Sequence, residues 1–302
     1  TVSVVAFVKG KLTVLATTCD RALGGRDFDE VLARHFAAEW KAKHGIDAFT
    51  NKKAVFRLMT AAEKTKKVLS SNPQAPISIE SFMEDIDVKG MMDRDEYLEL
   101  CQPLTGRIQA LAEEALALCG LSKDDIASVE LLGGSCRVPA VQKLISDVFG
   151  KAPSKTLNFD ECVAKGCALQ CAMLSPVFKV REFSVNEASL YPIALSWTSS
   201  GGGAAMEVEG GGDDDGSKAA TGSSTIVFPR FNPVPNTKLL TFFRKDTFSL
   251  TASYDESVAL PAGFSPLLNE FTVSGIPPKA DADGNPEAAK IKVKLRLDMH
   301  GC

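Results

Sequence analysis

The grammar of the chain changes once, at Ser175-Pro176, and that change limits the available folds more than any other feature. Before it, strand patterns and amphipathic helices alternate. After it, every periodic segment reads as a strand. Mixed elements followed by strands alone mean two domains, one α/β and one all-β. The 302 residues leave room for both, and 45% hydrophobic against 24% charged residues gives each enough apolar material for a core.

In the first part, residues 2–8 and 12–18 are β-rich runs joined by Lys9-Gly10-Lys11, which predicts a hairpin. A glycine turn, Leu23-Gly24-Gly25, then opens a helix. Its apolar residues Phe28, Val31, Leu32, Phe36 and Trp40 recur at three- and four-residue spacing, and Gly45 ends it. A second helix runs from Lys52 to Ser70 and stops before Asn72-Pro73. Alternation over Ile77 to Phe82 predicts a strand. Asp93 with Glu96 three residues on resembles a capping box for the next helix, which Pro103 should split. Residues 126–132 read as a buried strand, followed by the turn Gly133-Gly134-Ser135 and a helix with Pro139 in its first turn. Asn158 and Glu161 frame a last helix running to Leu174.

Beyond Pro176, strands are predicted at 178–185, 190–197, 225–228, 238–244, 247–254, 269–276 and 290–298. Residues 198–224 are dominated by Gly, Ser, Ala and acidic residues, including Asp213-Asp214-Asp215, and read as a disordered loop. The expected organisation is an α/β domain over 1–176, a linker over 177–184 and an incomplete β-sandwich over 185–302.

Several function classes are disfavoured at once. A net charge of -4 and no basic stripe argue against nucleic acid or an anionic membrane surface as partner. No apolar run approaches the ~18 residues of a membrane span. The eight cysteines are irregularly spaced and lie mostly in apolar helical patterns, so they read as reduced core residues rather than a disulfide framework or metal site. His35, His44 and His300 lack a neighbouring nucleophile or orienting carboxylate, and no hydrolytic machinery is visible.

Three features could carry chemistry. The first is strand, glycine turn, then helix over Leu131 to Pro139. Glycines admit a ligand close to the backbone, and a helix start attracts phosphate or ribose oxygens; the same pattern also serves as a plain tight turn. The second is Leu23-Gly24-Gly25-Arg26-Asp27, which repeats the idea. The third is the row Glu63, Lys66, Lys67 and Ser70 on the second helix, either a solvated charged face or one wall of a polar site.

Taken in order, the glycine turn with Arg26-Asp27-Phe28-Asp29, the run Ala61 to Ser71, the turn Gly133 to Pro139 and Asn158-Phe159-Asp160-Glu161 resemble the second lobe of the actin-like ATPase domain of the seventy-kilodalton heat-shock chaperones. The resemblance continues into the β part and covers essentially the whole chain. It implies that Glu63, Lys66, Lys67 and Ser70 line an adenosine pocket, and that Gly133, Gly134, Ser135 and Arg137 approach base, ribose and phosphates. It also puts Asp160 on the same wall and Gly24 and Gly25 at a phosphate-side turn. The implied ligands are ATP and ADP, with Mg in the intact protein. Three departures stand out: Lys67 replaces an Arg and loses a planar guanidinium, Cys136 replaces Thr, and Phe159 replaces Pro.

The basic, phenylalanine-bearing connection Ser175 to Val185 is similar to that of the larger, hundred-and-ten-kilodalton branch. Ordinary members carry an acidic, leucine-rich tether there instead. That branch implies an adenyl-nucleotide exchange factor for heat shock protein 70 partners and a holder of unfolded polypeptides, with weak ATPase activity at most, in the cytoplasm and nucleus. The alternatives are an ordinary ATP-hydrolysing refolding chaperone, a sugar kinase on the same scaffold and a passive scaffold with a vestigial site. Both ends of the chain read as cut. The phosphate loops and catalytic carboxylates of the family are expected before Thr1, so no hydrolysis is expected of these 302 residues. In the β part, Leu240 and Phe242 alternate with Leu239 and Phe243, so one face must be core and the other is either more core or a peptide surface.

Overall fold

A computed structural model describes residues 1–181, 183–198, 206–210, 223–280 and 286–298. The chain divides into two compact units: Thr1–Val4 with Thr17–Arg181, and Val5–Ala16 with Glu182–Cys302. It opens with β1 (Val2–Val8) and β2 (Lys11–Thr18), neighbours in one sheet.

The first unit is mixed α/β. Helices α1 (Gly25–His44) and α2 (Lys52–Leu69) pack beside the hairpin of β3 (Gln74–Met83) and β4 (Ile86–Asp93). The apolar spacing on α1 buries Phe28, Leu32, Phe36 and Trp40, each no more than 1% exposed, and α2 contributes Leu58, Ala62 and Leu69. Burial of each large apolar side chain contributes about 1.5–3 kcal/mol. Alternation puts Ala75, Ile77 and Ile79 of β3 on the same core. Gly90 on β4 is required by close approach: a Cβ there would lie 2.4 Å from Phe36 Cε1. The Trp40 indole N–H donates to the Lys89 carbonyl at 3.2 Å, so the largest side chain in this core is also satisfied.

Helices α3 (Arg94–Leu100), α4 (Gln102–Cys119), α5 (Pro139–Phe149) and α6 (Cys162–Leu174) complete the unit. Pro103 divides α3 from α4 as the sequence predicts, because a helix interior cannot accommodate its ring. Three expectations fail, the first being the cysteines as core residues: among the described residues only Cys101 is buried, while Cys19, Cys167 and Cys171 are exposed, the last two because α6 buries none of its residues. Asp93 stands at the N-cap of α3 but makes no cap; its Oδ1 accepts instead from Gln74 Nε2 at 2.6 Å across the hairpin. Residues 126–132 do not form a strand. Their ladder is a single parallel bridge, Glu130 with Ser154, and a strand needs a longer paired neighbour.

The second unit is built from sheets. Strand β5 (Ser184–Ala188) lies parallel to β2 from Lys11–Ser184 to Thr13–Asn186. The predicted strand over 178–185 thus begins six residues later than expected. Downstream come β6 (Ile193–Trp197), β7 (Met206–Gly210), β8 (Ser224–Phe228), β9 (Pro233–Val234), β10 (Asn236–Arg244), β11 (Phe248–Tyr254) and β12 (Leu267–Val273). The short β13 (Lys279–Ala280), β14 (Pro286–Glu287) and the longer β15 (Ala289–Leu297) follow.

These strands order as β12-β11-β6-β8 and β15-β10-β7, with β9 against β5. One apolar cluster draws on both larger sheets: Leu195, Trp197 and Phe228 with Leu250 from the first, Leu240, Phe242 and Leu297 from the second. Leu240 and Phe242 are fully buried, and their alternates Leu239 and Phe243 are half-buried. Within the segment read as a disordered loop, Met206–Gly210 form β7, antiparallel to β10. Ser224, at its end, opens β8, and 199–205 and 211–222 lie outside the described residues.

Candidate functional site

The candidate nucleotide-site residues all belong to the first unit, and Gly25, Lys66 and Ser135, from three separate segments, meet at the start of α1. Lys66 is the pivot. It leaves the polar row of α2 and turns inward, where its Nζ donates to the Gly25 carbonyl at 3.0 Å and lies 2.7 Å from Asp29 Oδ1. Both side chains of this ion pair are nearly buried, 12% and 9% exposed. At that distance Lys66 is the close counter-charge of the Asp29 carboxylate. Burial pushes the Asp29 carboxyl above its usual range, and the Lys66 ammonium only partly opposes that shift.

The second segment is the glycine turn after residues 126–132. Gly133 has a positive φ of 87°, which glycine adopts without strain. Gly134 to Arg137 then form one short 3₁₀ turn ahead of α5. This turn presses on the first glycine pair so closely that a Cβ on Gly25 would lie 2.8 Å from Ser135 Oγ and 3.6 Å from Lys66 Nζ. Gly25, Lys66 and Ser135 therefore meet at one point. Gly24 adjoins it, its N–H donating to Asp27 Oδ2 at 2.6 Å and fixing the turn.

Residues 158–160 form the third segment. The Gly133 N–H donates to the Phe159 carbonyl at 3.2 Å, and Asp160 Oδ2 accepts from Arg137 Nη2 at 2.7 Å. Arg137 is half exposed, so its guanidinium is both anchored and open to a ligand. Cys136 turns inward instead, its thiol donating to the Leu132 carbonyl at 3.0 Å, and burial pushes that thiol up.

A small cleft opens beside Lys66, lined by Lys66, Leu69 and Ser70 of α2, Arg94, Tyr97 and Leu98 of α3, and Val138 and Pro139. Ser70 Oγ donates to the Lys67 carbonyl at 2.6 Å. Glu63 and Lys67 stay on the exposed side of α2 as an ion pair of 2.7 Å, and the Glu63 carboxylate holds the Lys67 ammonium above its ordinary value. The polar row is therefore split between an inward member and an outward pair.

Sequence reasoning missed Asp29, Arg94 and Tyr97. Asp29 had a legible signal, a carboxylate adjoining Phe28 on the buried side of an amphipathic helix. Arg94 and Tyr97 had none, because only the tertiary fold brings α3 against the end of α2, where Arg94 Nε donates to the Leu69 carbonyl at 2.8 Å.

Chemically, this surface offers a fixed ammonium, an exposed planar cation and a backbone turn open at its glycines. Among the described residues no cluster of His, Cys, Asp or Glu could hold a metal ion. Such a surface suits a ligand with anionic groups and a flat ring.

Comparison with known proteins finds matches along the whole chain. The protein-family description Hsp70 protein matches residues 1–302. Heat shock 70 kDa protein 14 of Arabidopsis thaliana is 46% identical over 300 residues, covering 99% of this chain and 34% of that protein. Heat shock protein hsp88 of Neurospora crassa is 44% identical over 302 residues, covering 100% of this chain and 40% of that protein. Heat shock 70 kDa protein 4 of Homo sapiens is 44% identical over 302 residues, covering 99% of this chain and 33% of that protein. The chain thus spans between a third and two fifths of the length of these relatives.

Proposed function

The chain belongs to the Hsp70 superfamily, alongside its Hsp110-type members, and from that premise we propose that the surface around Lys66 is one wall of an ATP/ADP site. The observation that carries the reading is the meeting of Gly25, Lys66 and Ser135 at one point, reached from three distant parts of the chain. In this reading Glu63, Lys66, Lys67 and Ser70 face the adenosine, and Gly133, Gly134, Ser135 and Arg137 approach base, ribose and phosphates. Asp160 holds Arg137, and Gly24 and Gly25 form the phosphate-side turn. ATP supplies the binding energy, with its Mg, that would draw two lobes of a longer protein together. This chain's own residues bind and orient; they move no proton and break no bond.

The longer protein would use that closure as a chaperone of the Hsp110 type. It would grip the ATPase domain of a heat shock protein 70 partner so that ADP escapes, and hold unfolded polypeptides on a β-sandwich formed by the two larger sheets. The basic connection through Lys179 and Arg181 supports this branch over an ordinary refolding chaperone. A cytosolic and nuclear location goes with the same reading.

Stopped-flow release of labelled ADP from an Hsp70 partner tests it, with a longer protein that contains this chain. Acceleration that is lost in Lys66→Met is expected. Release at the unassisted rate rejects the exchange role, and robust peptide-stimulated ATP turnover would favour the refolding alternative.

A further inference from the structure

We propose that Phe159 is a positioning residue, fixing the guanidinium plane of Arg137 so that a flat, pre-set cation faces the nucleotide; this rests on the nucleotide reading above. The Arg137 Cζ lies over the Phe159 ring, 5.7 Å from its centroid. The same guanidinium is held at its edge by Asp160 Oδ2 at 2.7 Å. One contact sets the plane and the other sets rotation within it, and half of the side chain still faces solvent.

The ring is itself anchored. Phe159 is half-buried against the core of the first unit, and its carbonyl accepts from the Gly133 N–H at 3.2 Å. Asn158 Oδ1 accepts from the Asp160 and Glu161 N–H groups at 2.9 and 3.2 Å, so the loop carrying both ring and carboxylate is braced at its base. On the opposite side of the row, Lys67 offers only a compact ammonium already paired with Glu63 at 2.7 Å. Arg94, the other guanidinium at the cleft, is committed to the Leu69 carbonyl at 2.8 Å, so Arg137 is the exposed planar cation of this wall, and Phe159 fixes the direction that plane faces.

The test has two readouts on the 302-residue chain. Without nucleotide, NMR of the Arg137 side-chain N–H should show a ring-current shift that Phe159→Leu abolishes and Phe159→Tyr retains. With ADP, Phe159→Leu should weaken affinity roughly two- to fivefold, the range of an exposed cation–π contact. That loss should vanish when Arg137 is already Ala, whereas a merely structural ring would weaken binding in either background. A shift absent from the unmutated chain, or a Phe159→Leu penalty that survives in Arg137→Ala, overturns the positioning role while leaving the nucleotide reading intact. A shift present with no ADP affinity overturns the nucleotide reading and removes the proposal's basis with it.

Discussion

Replacing Lys66 by Met keeps most of the unbranched side chain and removes its charge, which strands Asp29. The two groups are 12% and 9% exposed, so water cannot readily take over from the lost ammonium. Breaking one side of a buried pair typically costs about 3–5 kcal/mol. Protonation limits the loss, because a carboxyl already raised by burial rises further once Lys66 is gone. About 3 kcal/mol at neutral pH is therefore expected, a fall in melting temperature of roughly 6–12 °C for a unit of this size.

The sign of the pH dependence follows from linkage. A carboxyl whose folded pKa is raised contributes stability that is fully present below the unfolded value, about 3.9, and lost as pH rises through the folded value. In Lys66→Met that window reaches higher, so the deficit against the unmutated chain should shrink as pH falls from about 8 towards 5. Calorimetric or dichroism melts at several pH values measure it. A deficit below about 1 kcal/mol, or one that does not change across that range, would refute the claim that Asp29 is a buried charge held by Lys66.

Four further outcomes follow. Gly90→Ala forces a methyl into the Phe36 ring, 2.4 Å from its Cε1, and should lower stability by about 1–3 kcal/mol or more in denaturant unfolding. Gly25→Ala crowds Ser135 Oγ at 2.8 Å, and its melting-temperature deficit should be relieved by adding Ser135→Ala. Arg107 donates to Asp20 Oδ2 at 2.9 Å and, with the Ala22 N–H, holds that carboxyl below its usual range, so Arg107→Ala should move the Asp20 NMR titration upward, part of the way back to ordinary carboxylate values. Lys67→Arg supplies a guanidinium that can stack on adenine and should tighten ADP binding severalfold by calorimetry, whereas an unchanged affinity would remove Lys67 from the base-facing wall.

Much of the first unit was legible because periodicity reports burial directly. The stripe Phe28, Leu32, Phe36, Trp40 and the alternation Ala75, Ile77, Ile79 are core in the structure. Pro103, Pro139 and Pro176 marked boundaries because proline removes a donor and fixes φ. What failed depended on partners that local pattern does not contain. Residues 126–132 have strand composition, but only Ser154 pairs with them. Met206–Gly210 sit in an acidic, glycine-rich context, yet their short alternation is enough to pair with β10.

The same division runs through the site. Its glycine turns and polar row could be named from residue types, and their convergence could be stated as an expectation from family resemblance. That Lys66 turns inward while Glu63 and Lys67 turn outward depends on Asp29, a residue on another helix. Helical spacing alone places all four polar residues on neighbouring positions and cannot say which of them finds a buried counter-charge.

The most direct test of the nucleotide wall is backbone NMR of the chain during titration with ADP, read residue by residue. Saturable shifts are expected, with a Kd on the order of 1 mM for a single wall, concentrated at Gly24, Gly25, Ser70, Gly134, Ser135 and Arg137 and abolished by Lys66→Met. Shifts scattered elsewhere, or confined shifts that persist in Lys66→Met, would contradict it.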